Sequence, residues 1–195
     1  MISQLRGTVV AVGATWAVVE AGGVGLKALC TPATTGGLRH GSEATLFTSL
    51  VVREDSLTLY GFASADERDC FELVQAASGI GPKIALAVIA TLGPDDLRAA
   101  IASGNVSSLT RVPGIGAKGA QRMILELKDK VGQFAVASQQ GVLTSGWRDQ
   151  VKAGLEGLGW SGRDAESACD RVAALAETET SVAVLMRAAL QSLAK

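Results

Sequence analysis

At 195 residues, 48% of them apolar, the chain can hold two or three small domains and bury their cores, and a net charge of −1 argues neither for nor against a nucleic-acid partner. Three widely separated cysteines, Cys30, Cys70 and Cys169, make neither a disulfide framework nor a zinc pattern and read as free thiols in a reducing cytosol. No apolar run of about eighteen residues offers a membrane span, residues 1–7 lack a signal-peptide core, and a cytoplasmic location is expected.

Residues 1–63 read as five short strands, at 5–12, 16–20, 24–30, 44–52 and 57–62. They are rich in Val, Thr and Leu and are broken at Gly13-Ala14, Gly22-Gly23 and Glu54-Asp55. Five strands in so short a span suit a small closed barrel, with the oligonucleotide-binding type the commonest of that size. Residues 64–133 change to helical spacing, through Phe71, Val74 and Ala77 and then Ile84, Val88 and Ile89. Asp66 and Asp95 offer capping chemistry at helix starts. Residues 134–146 lose periodicity and read as a flexible linker. Residues 147–195 form a last helical unit with turns at 157–162 and 177–180, a candidate three-helix module. The expected fold class is therefore α+β multidomain.

The middle segment repeats itself. Gly79-Ile80-Gly81-Pro82-Lys83 is echoed 35 residues later by Gly114-Ile115-Gly116-Ala117-Lys118. Apolar residues precede each copy, Leu73 and Val74 in one and Leu109 and Val112 in the other, and a helical run follows. Helix, Gly-apolar-Gly, helix is the helix-hairpin-helix arrangement. Glycine permits the positive φ that turns the chain, and its missing side chain lets a phosphate approach the backbone. The intervening Ile80 or Ile115 is expected to tuck between the helices. The second helix then directs its free N–H groups and the positive end of its dipole outward, where an anion fits. Lys83 and Lys118 add a full charge at the same offset, and Arg122 stands one turn beyond Lys118. Candidate DNA contacts are therefore Gly79, Gly81, Lys83, Gly114, Gly116, Lys118 and Arg122. Such contacts touch phosphates and not base edges, so binding should be indifferent to sequence and selectivity must come from DNA shape.

Other chemistry is sparse. Gly-Lys does not occur, so there is no Walker loop. The single histidine, His40, reads as an exposed bystander, and no metal-binding spacing is present. Neither a catalytic residue, nor a metal, nor a cofactor is expected. Taken alone, Glu54 and Asp55 are a solvated acidic turn or part of a nuclease site, and the latter would need further carboxylates nearby. Leu155, Leu158 and Trp160 cluster around the Gly157 and Gly159 turn, either as core or as an exposed partner site. Two rivals to a DNA-binding subunit are a structure-specific nuclease subunit and a hairpin scaffold that binds protein.

The two hairpins, Leu5-Arg6-Gly7, Gly22-Gly23-Val24-Gly25, Val51-Val52-Arg53-Glu54-Asp55, Leu59-Tyr60-Gly61-Phe62 and Leu155-Glu156-Gly157-Leu158-Gly159-Trp160 together carry a resemblance. Over its whole length the chain resembles the RuvA family of bacterial Holliday-junction-binding proteins. The resemblance implies a homotetramer, single or stacked face to face with a second, holding four-way junction DNA on a basic face for recombination and repair. It implies that Glu54 and Asp55 form an acidic pin near the four-fold axis and that Arg53 joins the DNA face. It also implies that the C-terminal module, through Leu155, Leu158 and Trp160, docks the hexameric ATPase RuvB. ATP would be used by that partner, and the resolvase RuvC would cut the junction. Ala117 stands where a second basic residue is expected, and Leu26 where an aromatic is usual.

Overall fold

The computed structural model describes residues 2–139 and 146–193. In β1 (Gln4–Val12), Leu5 and Val9 point inward while Gln4, Arg6, Thr8 and Val10 face water, the period-two pattern of a strand with one covered face. The same rule aligns Ala17 and Val19 in β2 (Trp16–Ala21), Ala28 and Cys30 in β3 (Val24–Cys30), and Leu46 in β4 (Glu43–Val52). With β5 (Leu57–Phe62), these strands close into a barrel of order β1-β2-β3-β5-β4, antiparallel except where β3 meets β5 in parallel. That is the five-stranded Greek-key closure of the oligonucleotide-binding type. Gly7 has a structural reason: a Cβ there would lie 2.0 Å from the Glu20 carbonyl oxygen. A short helix not foreseen from the pattern, α1 (Pro32–Gly36), links β3 to β4. It is capped by Thr31, whose Oγ1 accepts from the Thr34 N–H at 3.1 Å.

Strand β5 is buried on both faces. Leu59 joins the barrel interior, whereas Tyr60 and Phe62 belong to the core of the following helices. Phe71 meets both rings, with centroids 4.9 Å and 5.0 Å away. Barrel and helices thus share packing within one compact unit spanning residues 1–138.

The helices of that unit are α2 (Ala65–Gln75), α3 (Pro82–Ala102), α4 (Val106–Thr110) and α5 (Ala117–Gln139). The aspartates expected as caps do something else. Ser64 caps α2, its Oγ accepting from the Glu67 N–H at 3.1 Å. Asp66 instead takes both nitrogens of the Arg98 fork at 2.7 Å, and Asp95 accepts from the same guanidinium at 2.8 Å. A serine one residue before the first turn outcompetes an aspartate already inside it, because only the residue at the cap has its side chain beside the free N–H groups. The interruption in α3 lies at Gly93 (φ 70°), just before Pro94.

Helix α5 continues to Gln139, so residues 134–139, expected to open the linker, are helical, and the rest of that expected linker up to residue 145 lies outside the described residues. Ala135 and Ala137 are good helix formers, and residues 134–139 contain neither Gly nor Pro.

The second compact unit contains α6 (Trp147–Gly157), α7 (Gly162–Ala176) and α8 (Val182–Leu193), with turns where the sequence suggests them. Its core is Val151, Leu155, Ala165, Ala168, Cys169, Val172, Leu185 and Ala189. Among the described residues, no helix is long and apolar enough to cross a membrane.

Candidate nucleic-acid interface

The 35-residue repeat of the sequence is also a repeat of backbone hydrogen bonds. Ala76 to Leu73, Ala77 to Val74, Ile80 to Ala77 and Ala85 to Gly81 each recur at the equivalent place: Arg111 to Ser108, Val112 to Leu109, Ile115 to Val112 and Ala120 to Gly116. Val112 therefore corresponds to Ala77 and Leu109 to Val74, a finer register than the apolar stretches alone suggest. Gly79 and Gly114 adopt φ of 84° and 91°, where a side chain is strained. Ile115 is buried and Ile80 half-buried against the same core, which pins each hairpin from inside.

Beyond each turn a helix begins whose first N–H groups have no intrahelical acceptor. Gly81 caps α3 without any side-chain bond, and the first intrahelical bond is donated by Ala85. In the second copy it is donated by Ala120, so the N–H of Lys118 precedes it. Lys83, Lys118 and Arg122 are all exposed.

The hairpins interlock. A Cβ on Gly114 would lie 3.5 Å from Ile84 of α3, and one on Gly79 would lie 3.8 Å from Nη1 of Arg122. The sequence places Arg122 after the second hairpin, yet its charge sits at the first. Glu126, one turn further along α5, accepts the Ser78 N–H at 2.7 Å. Sequence reasoning missed Glu126. Its one available signal is that the position equivalent to Ser78 is Pro113, which has no N–H to satisfy.

A cleft of about 440 Å³ separates the end of the β4–β5 hairpin from the first helical hairpin, with Arg53, Tyr60, Gly81 and Lys83 on its walls. Arg53 and Lys83, 30 residues apart in sequence, thus face one space. Burial pushes the Tyr60 phenol above its usual range, and the nearby Arg53 charge opposes that rise. Two cations and a helix start around one open cleft can hold a phosphate group.

The acidic pair lies at the tip of the same strand hairpin. Val52 and Leu57 are the last paired residues, and the Arg53 N–H closes the turn on the Ser56 carbonyl at 2.8 Å. Glu54 and Asp55 are exposed. Among the described residues, no three His, Cys, Asp or Glu side chains come close enough to hold a metal ion. His40 is exposed.

Three family models match along the chain: the RuvA N-terminal domain over residues 1–61, a SAM-like helix-hairpin-helix tandem over 71–129, and the RuvA C-terminal domain over 146–194. Proteins named Holliday junction branch migration complex subunit RuvA are 54% identical in Cutibacterium acnes, 55% in Nocardioides sp. and 53% in Thermobifida fusca, in each case over all of both chains. The chain belongs to the RuvA family. The RuvA layout of barrel, paired hairpins and C-terminal helices is the fold described above.

In the RuvA C-terminal domain the expected apolar cluster divides. The Trp160 N–H bonds to the Leu155 carbonyl at 3.2 Å and the Gly159 N–H to that of Glu156 at 3.0 Å, with Gly159 at φ 101°. This is a Schellman cap, which brings the apolar residues on either side of the stop together. Leu155 is fully buried in the core, which removes it as a docking residue. Leu158 and Trp160 remain 60% and 36% exposed. The buried member was not distinguishable by residue type, because both sides of such a cap are apolar.

Proposed function

We propose that this chain is the junction-recognising subunit of a DNA branch-migration complex. It binds four-way junction DNA through backbone phosphates, without reading sequence, and performs no catalysis itself. The observation that carries this reading is the pair of equivalent hairpins, each with a left-handed glycine, a following helix start and a lysine at the same offset. Gly79, Gly81, Lys83, Arg122 and Arg53 would serve one phosphate-binding area, and Gly114, Gly116 and Lys118 another. Glu54 and Asp55, gathered as pins in a four-fold tetramer, would repel a continuous duplex and admit the open centre of a junction.

Leu158 and Trp160 would dock a RuvB-type hexameric ATPase, which consumes the ATP, so this chain needs no cofactor. A second tetramer and a RuvC-type resolvase are further partners, in the cytoplasm. The relatives' name, Holliday junction branch migration complex subunit, supports a role within such a complex. Incubation of the protein with labelled junction, duplex and single strand, with Mg²⁺ and ATP, tests it. The expected result is a selective junction shift with intact strands and no phosphate release. Strand cleavage would instead establish the nuclease reading, and no shift at all the protein-scaffold reading.

A further inference from the structure

The two hairpins are built alike but held differently. Positions 78 and 113 are equivalent under the 35-residue shift, and they carry Ser78 and Pro113. Proline fixes its own φ and has no N–H to satisfy. Ser78 has an N–H, and it donates to Glu126 Oε2 across 48 residues of sequence at 2.7 Å, the short end for an amide on a carboxylate. On the same side of α5, Arg122 stands beside Gly79. The helix that follows the second hairpin therefore puts a carboxylate on the turn of the first and a guanidinium next to its left-handed glycine.

We propose that Glu126 is a positioning residue for DNA binding at the first hairpin. Its carboxylate holds the Ser78 N–H, and so the turn into Gly79, doing for this hairpin what the ring of Pro113 does for the other. The inference rests on the phosphate-binding reading of the hairpins. Electrostatics alone gives a carboxylate no place there: at 10 Å in water it weakens phosphate binding by roughly two-fold. A charge-assisted hydrogen bond to a turn N–H is worth roughly ten-fold or more in the equilibrium that orders the turn. Ordering the hairpin outweighs repelling the ligand.

The two effects have opposite signs, which makes the role testable in the full chain. In Glu126→Ala without DNA, amide exchange at Ser78 and Ile80 should accelerate roughly ten-fold, while protection in the barrel stays unchanged. Junction affinity should fall by a comparable factor, although loss of a negative charge by itself would raise it. Glu126→Gln, which keeps an acceptor oxygen, should recover much of the loss. The turn around Ser78 repeats the backbone bonds of the turn around Pro113, so proline is compatible with that position. Ser78→Pro should accordingly restore both protection and affinity when combined with Glu126→Ala. Unchanged exchange, affinity equal to or above the parent's, or a double variant as weak as Glu126→Ala would each overturn the role of Glu126. A parent chain that fails to bind the junction overturns the proposed function instead, and exchange at the first hairpin then still reports on the clamp.

Discussion

The placement of Arg122 makes a quantitative prediction about salt. Arg53, Lys83 and Arg122 gather around the first hairpin, whereas Lys118 stands at the second, next to Ala117 where another cation was expected. Each neutralised phosphate contributes roughly −0.9 to the slope of log affinity against log salt. Removing one contacting cation therefore flattens the slope by about 0.9 for every subunit on the DNA, and removing three flattens it by about 2.7. Between 50 and 200 mM salt, one lost contact corresponds to roughly a 3.5-fold smaller change in affinity. Fluorescence anisotropy of a labelled junction across a salt series measures this directly. Lys118→Ala and Arg122→Ala should each show the single step, and Arg53→Ala/Lys83→Ala/Arg122→Ala close to three. An unchanged slope in Arg122→Ala would remove it from the DNA face, and a triple variant no flatter than Lys118→Ala would refute the grouping around the first hairpin.

Three further outcomes are expected. Glu54→Gln with Asp55→Asn removes charge at nearly constant size; one carboxylate 10 Å from a phosphate costs only about 0.4 kcal/mol, but eight around the axis of the proposed tetramer would sum to a few kcal/mol. Duplex binding should strengthen more than junction binding, by up to about a hundredfold in competition titrations. A chain ending at residue 139 should keep its junction affinity in the same anisotropy assay and lose all stimulation of a RuvB-type ATPase, because residues 1–138 form a unit with its own core. Burial pushes Cys30 and Cys70 up to about 11, so a thiol reagent at pH 8 should leave both unmodified until denaturant is added.

Much of this architecture was legible because its determinants are local. Runs rich in Val, Thr and Leu mark the strands of the barrel, and β-strand ends fall within a residue or two of the breaks at Gly22-Gly23 and Glu54-Asp55. The hairpins announce themselves through glycines that must turn and lysines at a fixed offset. What stayed hidden depends on residues far apart in sequence. Arg98 draws Asp66 away from capping, and nothing local to that aspartate signals a guanidinium 32 residues away. In the sequence Arg122 belongs with the second hairpin, and only folding around one shared core brings it and Glu126 to the first. Leu155 and Leu158 are the same residue type three positions apart, and the cap geometry decides that one is buried and the other not.

Selective binding of a four-way junction by shape is the claim on which the rest depends. Competition titration at fixed salt between a four-way junction and a duplex built from the same arms tests it, repeated with a second, unrelated set of arm sequences. The expected result is a junction-to-duplex affinity ratio well above one that is the same for both sequence sets. A ratio near one, or one that changes with the arm sequence, would contradict it.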